Sequence, residues 1–216
     1  MPQKIVVFLG PSLPHEEASR ILEADYLPPA KRGDILKAAG DGAEIIGLID
    51  GVFFQDCSVA HREILAVLQQ GIKMIGASSM GALRASEMDT FGMEGVGEIY
   101  RMYRSGEVES DDEVALSFDP LSFQPLSEPL INIRYNIERA EDRGILTPEE
   151  GETLLKAAQS LYFPKRTYPS VIRAAEGKVQ RDSLERFRTF LETDYVDLKR
   201  EDAILALKRI KEIARI

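Results

Sequence analysis

Two adjacent serines, Ser78 and Ser79, stand where a short apolar run meets a helical stretch, in the segment Gly76–Ala82. Small neighbours let a strand turn sharply into a helix and leave a serine hydroxyl exposed, as in the G-x-S-x-G motif; here Ala77 replaces the first glycine. Ser79 would then lie at a helix N-terminus, where free N–H groups stabilise a developing oxyanion. A serine that merely caps the helix fits the same position, so the pattern leaves both roles open.

A nucleophilic serine needs a proton acceptor, and a desolvated lysine is one option. Lys31 lies in the loop Pro28–Asp34, whose prolines and glycine could hold a lysine over the ends of the strands. An ordinary surface lysine is the alternative. Lys73 begins the strand that ends at the serines, so several residues at about 3.3 Å each separate it from them. His61 is predicted to be a partly exposed residue of a helix.

Other polar residues near the predicted strand ends form a supporting set. Asp34 and Asp50 could orient the base or an arginine, and Arg84 could bind a carboxylate or pair with Glu87. The residues predicted to bind or support are Ser12, Arg32, Asp34, Asp50, His61, Ser78 and Arg84. The acidic run Asp111–Glu113 could hold a magnesium ion, but a solvated turn is the commoner reading. We therefore predict neither a metal site nor a bound cofactor.

The first half of the chain alternates apolar runs with helical stretches. The predicted strands are Ile5–Leu9, Glu44–Asp50 and Ile72–Gly76, and helical stretches follow each of them. This rhythm predicts an α/β fold, a parallel sheet flanked by helices in a three-layer, Rossmann-like arrangement. Ligands of such sheets collect at the carboxyl ends of the strands, where the two serines are expected.

The second half has a different character. The segment Phe118–Pro129 contains three prolines, and the chain beyond it reads as mostly helical. Thr147 followed by Pro148 predicts a helix start, and Leu198–Ile216 predicts an amphipathic helix. We therefore predict an α/β core over residues 1–118 and a helical region packed on it over residues 119–216.

Composition excludes several classes of protein. The chain has 216 residues, a formal charge of -9, 44% hydrophobic and 29% charged residues, and one cysteine. One cysteine permits neither an internal disulfide nor a cysteine-based zinc site. The acidic balance argues against a general nucleic-acid binder. No apolar run reaches the roughly 18 residues of a membrane span, and the N-terminus lacks a signal-peptide pattern, so a cytoplasmic protein is expected.

A series of segments between Val6 and Arg134 resembles the TfuA-like family in order and spacing. The most distinctive of them is GASSMGALRASEM, which contains both serines. The other segments are FLGPSL, PPAKRGDI, IDGVFF, HREIL, FGMEGVGEIYRMYRSGEVESDDEVAL and LSEPLINIR. The region after about Arg143 adds little to this resemblance.

The resemblance implies a function in peptide-backbone thioamidation. TfuA-like proteins act with YcaO enzymes, which use ATP to activate a backbone amide. The family member resembles a hydrolase with a Ser–Lys pair that releases sulfide from a thiocarboxylated, ubiquitin-like sulfur carrier. It also resembles a helper that makes the YcaO partner bind its substrate more tightly. In methanogenic archaea the modified target is a glycine of methyl-coenzyme M reductase; elsewhere, relatives serve peptide natural products.

Transferred to this sequence, Ser79 matches the serine of the ASSMGALR segment and becomes the expected nucleophile, with Ser78 as the alternative. Lys31 is the expected base, inferred from its loop. A rival reading makes the protein a non-enzymatic adaptor that docks on YcaO, with the serine only capping its helix. A nucleotide-binding domain is disfavoured because no phosphate-binding loop motif is present.

Overall fold

The computed structural model describes residues 3–53 and 57–215, which form two compact units. The first unit extends to Asp111 and resumes at Lys199, and the second comprises Asp112–Leu198. The sequence predicted a boundary at residue 118 and assigned everything beyond it to the helical region. The first unit instead ends at Asp111. The chain from Lys199 onward, which forms nearly all of the last helix, also belongs to this α/β unit.

The first unit is built on a five-stranded, wholly parallel sheet in the order β2-β1-β3-β4-β5. Its strands are β1 (Ile5–Phe8), β2 (Asp25–Leu27), β3 (Ile45–Leu48), β4 (Lys73–Ala77) and β5 (Glu94–Val96). The predicted α/β fold with a parallel sheet is confirmed. The sequence predicted β1, β3 and β4 but neither of the two short edge strands.

Ten α-helices are described along the chain. They are α1 (His15–Ile21), α2 (Asp34–Gly40), α3 (His61–Leu68), α4 (Met80–Met88), α5 (Glu98–Ser105), α6 (Leu130–Asp142), α7 (Pro148–Gln159), α8 (Tyr168–Ala175), α9 (Arg181–Asp194) and α10 (Leu198–Ala214). No described helix combines the length and the apolar character that a membrane span requires.

Helices cover both faces of the sheet, which explains why its central strands read as continuous apolar runs. Alternate residues of β1 belong to different cores. Ile5 and Val7 pack with buried residues of α1 and α10, whereas Val6 and Phe8 pack with residues of α2, α3 and α4. The α10 helix is therefore one layer of the three-layer first unit.

The second unit consists of α6 to α9 around its own apolar core. The predicted helix start at Thr147 is confirmed, since its side chain accepts a hydrogen bond from the Glu150 amide and the Glu150 carboxylate accepts one from the Thr147 amide. This capping box satisfies two amides that the first turn of a helix otherwise leaves unpaired.

The α10 helix also anchors the start of α5. Its Asp202 is 1% exposed and accepts hydrogen bonds from the amides of Glu98 (2.9 Å) and Ile99 (2.8 Å). Gly97 precedes α5 with φ of 95°, and a Cβ atom there would lie 2.2 Å from the Asp202 carboxyl carbon. Glycine is therefore required by both backbone conformation and space.

The stability that Asp202 contributes should decrease as the pH rises from about 4 to about 7, because burial raises the pKa of its carboxyl group to about 7. Over that interval the folded chain retains a proton that the unfolded chain, with an aspartate pKa near 3.9, has released. Each pH unit should cost about 1 kcal/mol. Urea unfolding at pH 4.5 to 8 should show this slope in the wild type and a flatter one in Asp202→Asn. Asp182→Asn, on an exposed side chain, should keep the wild-type slope.

Candidate functional site

The turn between β4 and α4 requires its glycines because the helix lies directly against the strands. A Cβ atom on Gly81 would lie 1.7 Å from the carbonyl oxygen of Leu48 in β3. A Cβ atom on Gly76 would lie 2.3 Å from the carbonyl oxygen of Gly81. Such distances are well inside van der Waals contact, so any larger residue must move the helix. The small residues of this segment therefore have a packing role, whatever the serines do.

Ser78 forms the turn itself. It has a positive φ of 66°, and the Ser79 amide donates a 2.8 Å hydrogen bond to the Ala77 carbonyl across it. This three-residue turn with a positive central φ is the rare γ-turn geometry, which is strained for a residue other than glycine. Ser78 is fully buried, and its hydroxyl donates a 2.9 Å hydrogen bond to the hydroxyl of Ser12.

Asp50 links the ends of β1 and β3. One carboxylate oxygen accepts hydrogen bonds from the amides of Gly10 (2.9 Å) and Ser12 (3.0 Å), and the other accepts from the Ser12 hydroxyl at 2.7 Å. The carboxylate is 2% exposed, and three donors offset the cost of burying it. Three predicted site residues, Ser12, Asp50 and Ser78, are thus joined in one buried hydrogen-bonded chain. It lies where the strand order reverses between β1 and β3, the position at which parallel α/β sheets bind ligands.

Ser79 is the residue that precedes α4, and its side chain does not cap the helix. The residue is 2% exposed, with φ of -108° and ψ of -126°, outside the usual helical and extended regions. Its hydroxyl therefore has no capping role, but the residue is buried like Ser78 and is not exposed as the small-residue turn predicted. The Met80 amide opens the helix and has no intrahelical acceptor, whereas the Gly81 amide already donates to the Ile49 carbonyl.

The loop that carries Lys31 lies along the end of β3. Ala30 pairs with Gly51, since its amide donates to the Asp50 carbonyl at 2.9 Å and its carbonyl accepts from the Val52 amide at 3.0 Å. A Cβ atom on Gly51 would lie 2.8 Å from the Met80 side chain. The predicted loop over the strand ends is therefore present, and Lys31 directly follows its contact with β3.

The remaining residues of this loop are held by backbone hydrogen bonds. The Asp34 carboxylate accepts from the Lys31 amide at 2.8 Å, and the Arg32 amide donates to the Cys57 carbonyl at 2.8 Å. Glu63, which is 3% exposed, accepts from the Gly33 amide at 2.7 Å. Glu63 was not among the predicted site residues. The sequence does hold a sign of it: Glu63 lies four residues before Val67, and this spacing places both side chains on the buried face of α3.

The Lys31 ammonium makes no hydrogen bond to either serine in the described structure. Its side chain instead lines a cavity of about 690 Å³ beside β1, β2 and α2, and neither Ser78 nor Ser79 lines that cavity. Lys31 is exposed, as its alternative reading as a surface lysine predicted, and the expected Ser–Lys pair is not formed. The loop and the serine turn are nevertheless neighbours through Gly51 and Met80.

Arg84 and His61 meet at Glu87, apart from the buried serine chain. Arg84 donates to one Glu87 carboxylate oxygen at 2.7 Å and to the Val59 carbonyl at 2.9 Å, and His61 lies 2.8 Å from the same carboxylate oxygen. The alternative in which Arg84 pairs with Glu87 is confirmed. His61 is about half exposed, as predicted for a helix surface residue.

The acidic run near residue 111 is engaged with arginines. Asp112 pairs with the fully buried Arg166 at 2.6 Å, and Glu113 pairs with Arg134 at 2.5 Å. These pairs favour a structural role for the two carboxylates over magnesium binding. Within residues 3–53 and 57–215, no group of three or more histidine, cysteine, aspartate or glutamate side chains is arranged to hold a metal ion.

Comparison with known proteins identifies one family. The family model described as "TfuA-like protein" matches residues 50–167, more than half of the chain. The matched region contains Asp50, His61, Ser78, Ser79 and Arg84, whereas Ser12 and Lys31 precede it. A search of curated proteins finds no significant match.

Proposed function

Because the chain belongs to the TfuA-like family, we propose that it is an accessory hydrolase of YcaO-dependent thioamide formation. In this proposal it releases sulfide from a thiocarboxylated, ubiquitin-like sulfur carrier and helps the YcaO enzyme to bind its peptide or protein substrate. The YcaO partner, and not this chain, consumes ATP. The protein works in the cytoplasm, and methyl-coenzyme M reductase and peptide natural products are the target classes that the family resemblance suggests.

The observation that carries the proposal is the strained turn that places Ser79 at the start of α4. The buried chain from Ser78 through Ser12 to Asp50 holds this turn, and the neighbouring Ser79 hydroxyl is left without a capping role. Strained backbone conformations that the surrounding structure holds in place are common at active sites. Both serines are buried, and we assign the reaction to Ser79 because the Ser78 hydroxyl already donates to Ser12, whereas the Ser79 hydroxyl caps nothing.

The reaction would proceed through an ester. Ser79 Oγ attacks the thiocarboxylate carbon while Lys31, in its neutral form, accepts the hydroxyl proton. The Met80 amide donates to the oxygen that becomes negatively charged. The Lys31 ammonium then returns its proton to the sulfur, the carbon–sulfur bond breaks and hydrosulfide leaves. Water hydrolyses the ester, which returns the serine and leaves a carboxylate on the carrier.

Lys31→Arg should lose as much activity as Lys31→Ala, because arginine keeps the charge but stays protonated and cannot serve as a base. Each change should lower kcat for sulfide release by at least about 100-fold. The assay is sulfide release from purified thiocarboxylated carrier without YcaO. Lys73→Arg is the control, as this exposed lysine lies at the far end of β4. A fully active Lys31→Arg protein would remove Lys31 from the role of base.

An adaptor that only docks on YcaO is the second candidate, and one observation favours it. Contacts at Gly76 and Gly81 explain the small residues of the turn through packing alone, without any reaction. When free sulfide replaces the carrier, an adaptor must still stimulate thioamide formation by YcaO, and Ser79→Ala must not change that stimulation. If the protein stimulates YcaO but releases no sulfide from the carrier, the adaptor role stands alone.

A further inference from the structure

A cavity of about 690 Å³ lies at one edge of the first unit's sheet, and neither serine lines it. Val6 and Phe8 of β1, Tyr26 of β2 and Lys37 of α2 line it. Its volume lies within the range of ligand sites, roughly 300–1,000 Å³. Among the described strands, β2 pairs only with β1. A cavity lined by residues of these two strands suits an extended peptide.

Three lysines are distributed along the cavity. Lys4 lies beside the start of β1, Lys37 lies on α2, and Lys31 follows the loop contact with β3. Lys4 donates to a backbone carbonyl, that of Asp41, and no described carboxylate forms an ion pair with any of the three. Unpaired ammonium groups in a chain of formal charge -9 favour a ligand that brings its own anion.

Aspartates in the same lining limit what that ligand can be. Asp25, Asp34 and Asp41 balance the three lysines in number. The Asp34 carboxylate is bonded to the Lys31 amide, so it holds the loop. A polyanion would meet these carboxylates and be repelled, whereas a mostly neutral chain with one terminal anion would not.

We propose that this cavity receives the extended C-terminal tail of the sulfur carrier, with the terminal thiocarboxylate at the Lys31 end. The proposal rests on the proposed function, since it presupposes that a carrier is the substrate. The direction follows from the loop: Ala30 bonds to the end of β3, and Gly51 touches the first residue of α4. The Lys31 end is therefore the end of the cavity that leads to the serine turn.

The size of the tail follows from the strand that forms the floor. β1 has four residues, and extended chains advance about 3.3 Å per residue. A tail of about four or five residues therefore covers the floor and places its terminal anion beside Lys31. Substrate recognition along the sheet edge would be separate from the reacting turn.

Carrier binding measures this proposal directly. The probe is the carrier in its carboxylate form, which binds but cannot release sulfide, followed by fluorescence anisotropy at low salt. Joint reversal of Lys4→Glu and Lys37→Glu should weaken binding about tenfold or more. Joint replacement by Lys4→Arg and Lys37→Arg should lose less affinity than the joint reversal, because the positive charges are kept. Lys73→Glu, an exposed lysine outside the cavity, should change affinity less than twofold.

Hydrogen exchange supplies a second measurement that does not depend on substitutions. Bound carrier should slow exchange at Asp25–Leu27, because these residues line the cavity that the tail fills. Equal affinity of the joint reversal and the Lys73→Glu control, or a wild type that does not bind the carrier, would overturn the proposal. If the joint reversal released sulfide at the wild-type rate, the cavity proposal would be wrong and the hydrolase function would stand. Tight, charge-dependent binding without sulfide release would sustain the cavity assignment and refute the hydrolase.

Discussion

Ser79→Ala should reduce sulfide release from the thiocarboxylated carrier by at least about 1,000-fold, because loss of a nucleophile removes the route through the ester. The same protein should still stimulate YcaO when free sulfide is supplied, since that role does not need the hydroxyl. The readout is the initial rate of sulfide release with YcaO absent. Ser86→Ala is the matched control: it lies on the same helix, and its hydroxyl donates to the Leu83 carbonyl.

A Ser79→Ala protein that releases sulfide as fast as the control would end the role of Ser79 as nucleophile. Ser78→Ala then separates the two serines. This change removes the bond to Ser12, so we expect a moderate loss of stability and some loss of rate. If only Ser78→Ala abolished release while the protein stayed folded, the buried chain to Asp50 would contain the reacting hydroxyl.

Gly81→Ala should destabilise the fold by at least about 3 kcal/mol, because the new methyl group would overlap the Leu48 carbonyl oxygen. The contact is with backbone of a central strand, which cannot move aside as a flexible side chain could. Urea unfolding measures the loss as a lower midpoint at unchanged slope. Sulfide release should fall as well, since a displaced α4 moves the serine turn.

Gly40→Ala is the control for Gly81→Ala. Gly40 ends α2 and is exposed, and a Cβ atom there would meet nothing within 4 Å. Its replacement should change the free energy of unfolding by less than about 1 kcal/mol. Equal midpoints for the two variants would show that α4 does not depend on its close contact with β3.

How far the sequence predicted the fold depended on burial. β1, β3 and β4 are covered on both faces, so they read as apolar runs and were predicted. β2 and β5 have three residues each at the sheet edges, and their exposed or half-buried positions show no such run. The α10 helix was predicted as a helix, but an amphipathic pattern shows only that a face is buried and not which unit buries it.

Residue type and order predicted the members of the candidate site but not their contacts. Ser12, Asp50 and Ser78 were each expected near strand ends, yet their hydrogen-bonded chain depends on β1, β3 and β4 being neighbours. Asp50 was expected to orient a base or an arginine, and it instead holds the turn after β1. That choice depends on backbone amides, which the pattern of side chains does not reveal.

The distinctive segment around the serines combines two requirements. Gly76 and Gly81 allow α4 to pack closely against β3 and β4, and Ser78 forms the strained turn between the two glycines. Packing therefore explains most of the segment, and the unassigned hydroxyl of Ser79 is the part that packing does not explain. Catalysis by Ser79 would account for that part.

Mapping the covalent intermediate tests the central claim most directly. Wild-type protein is mixed with thiocarboxylated carrier, quenched in acid at times within one turnover, and digested for mass spectrometry. The account predicts an ester between the carrier's C-terminus and Ser79, with the combined mass less that of hydrogen sulfide. An ester on a different residue, or undiminished sulfide release by Ser79→Ala protein, would contradict it.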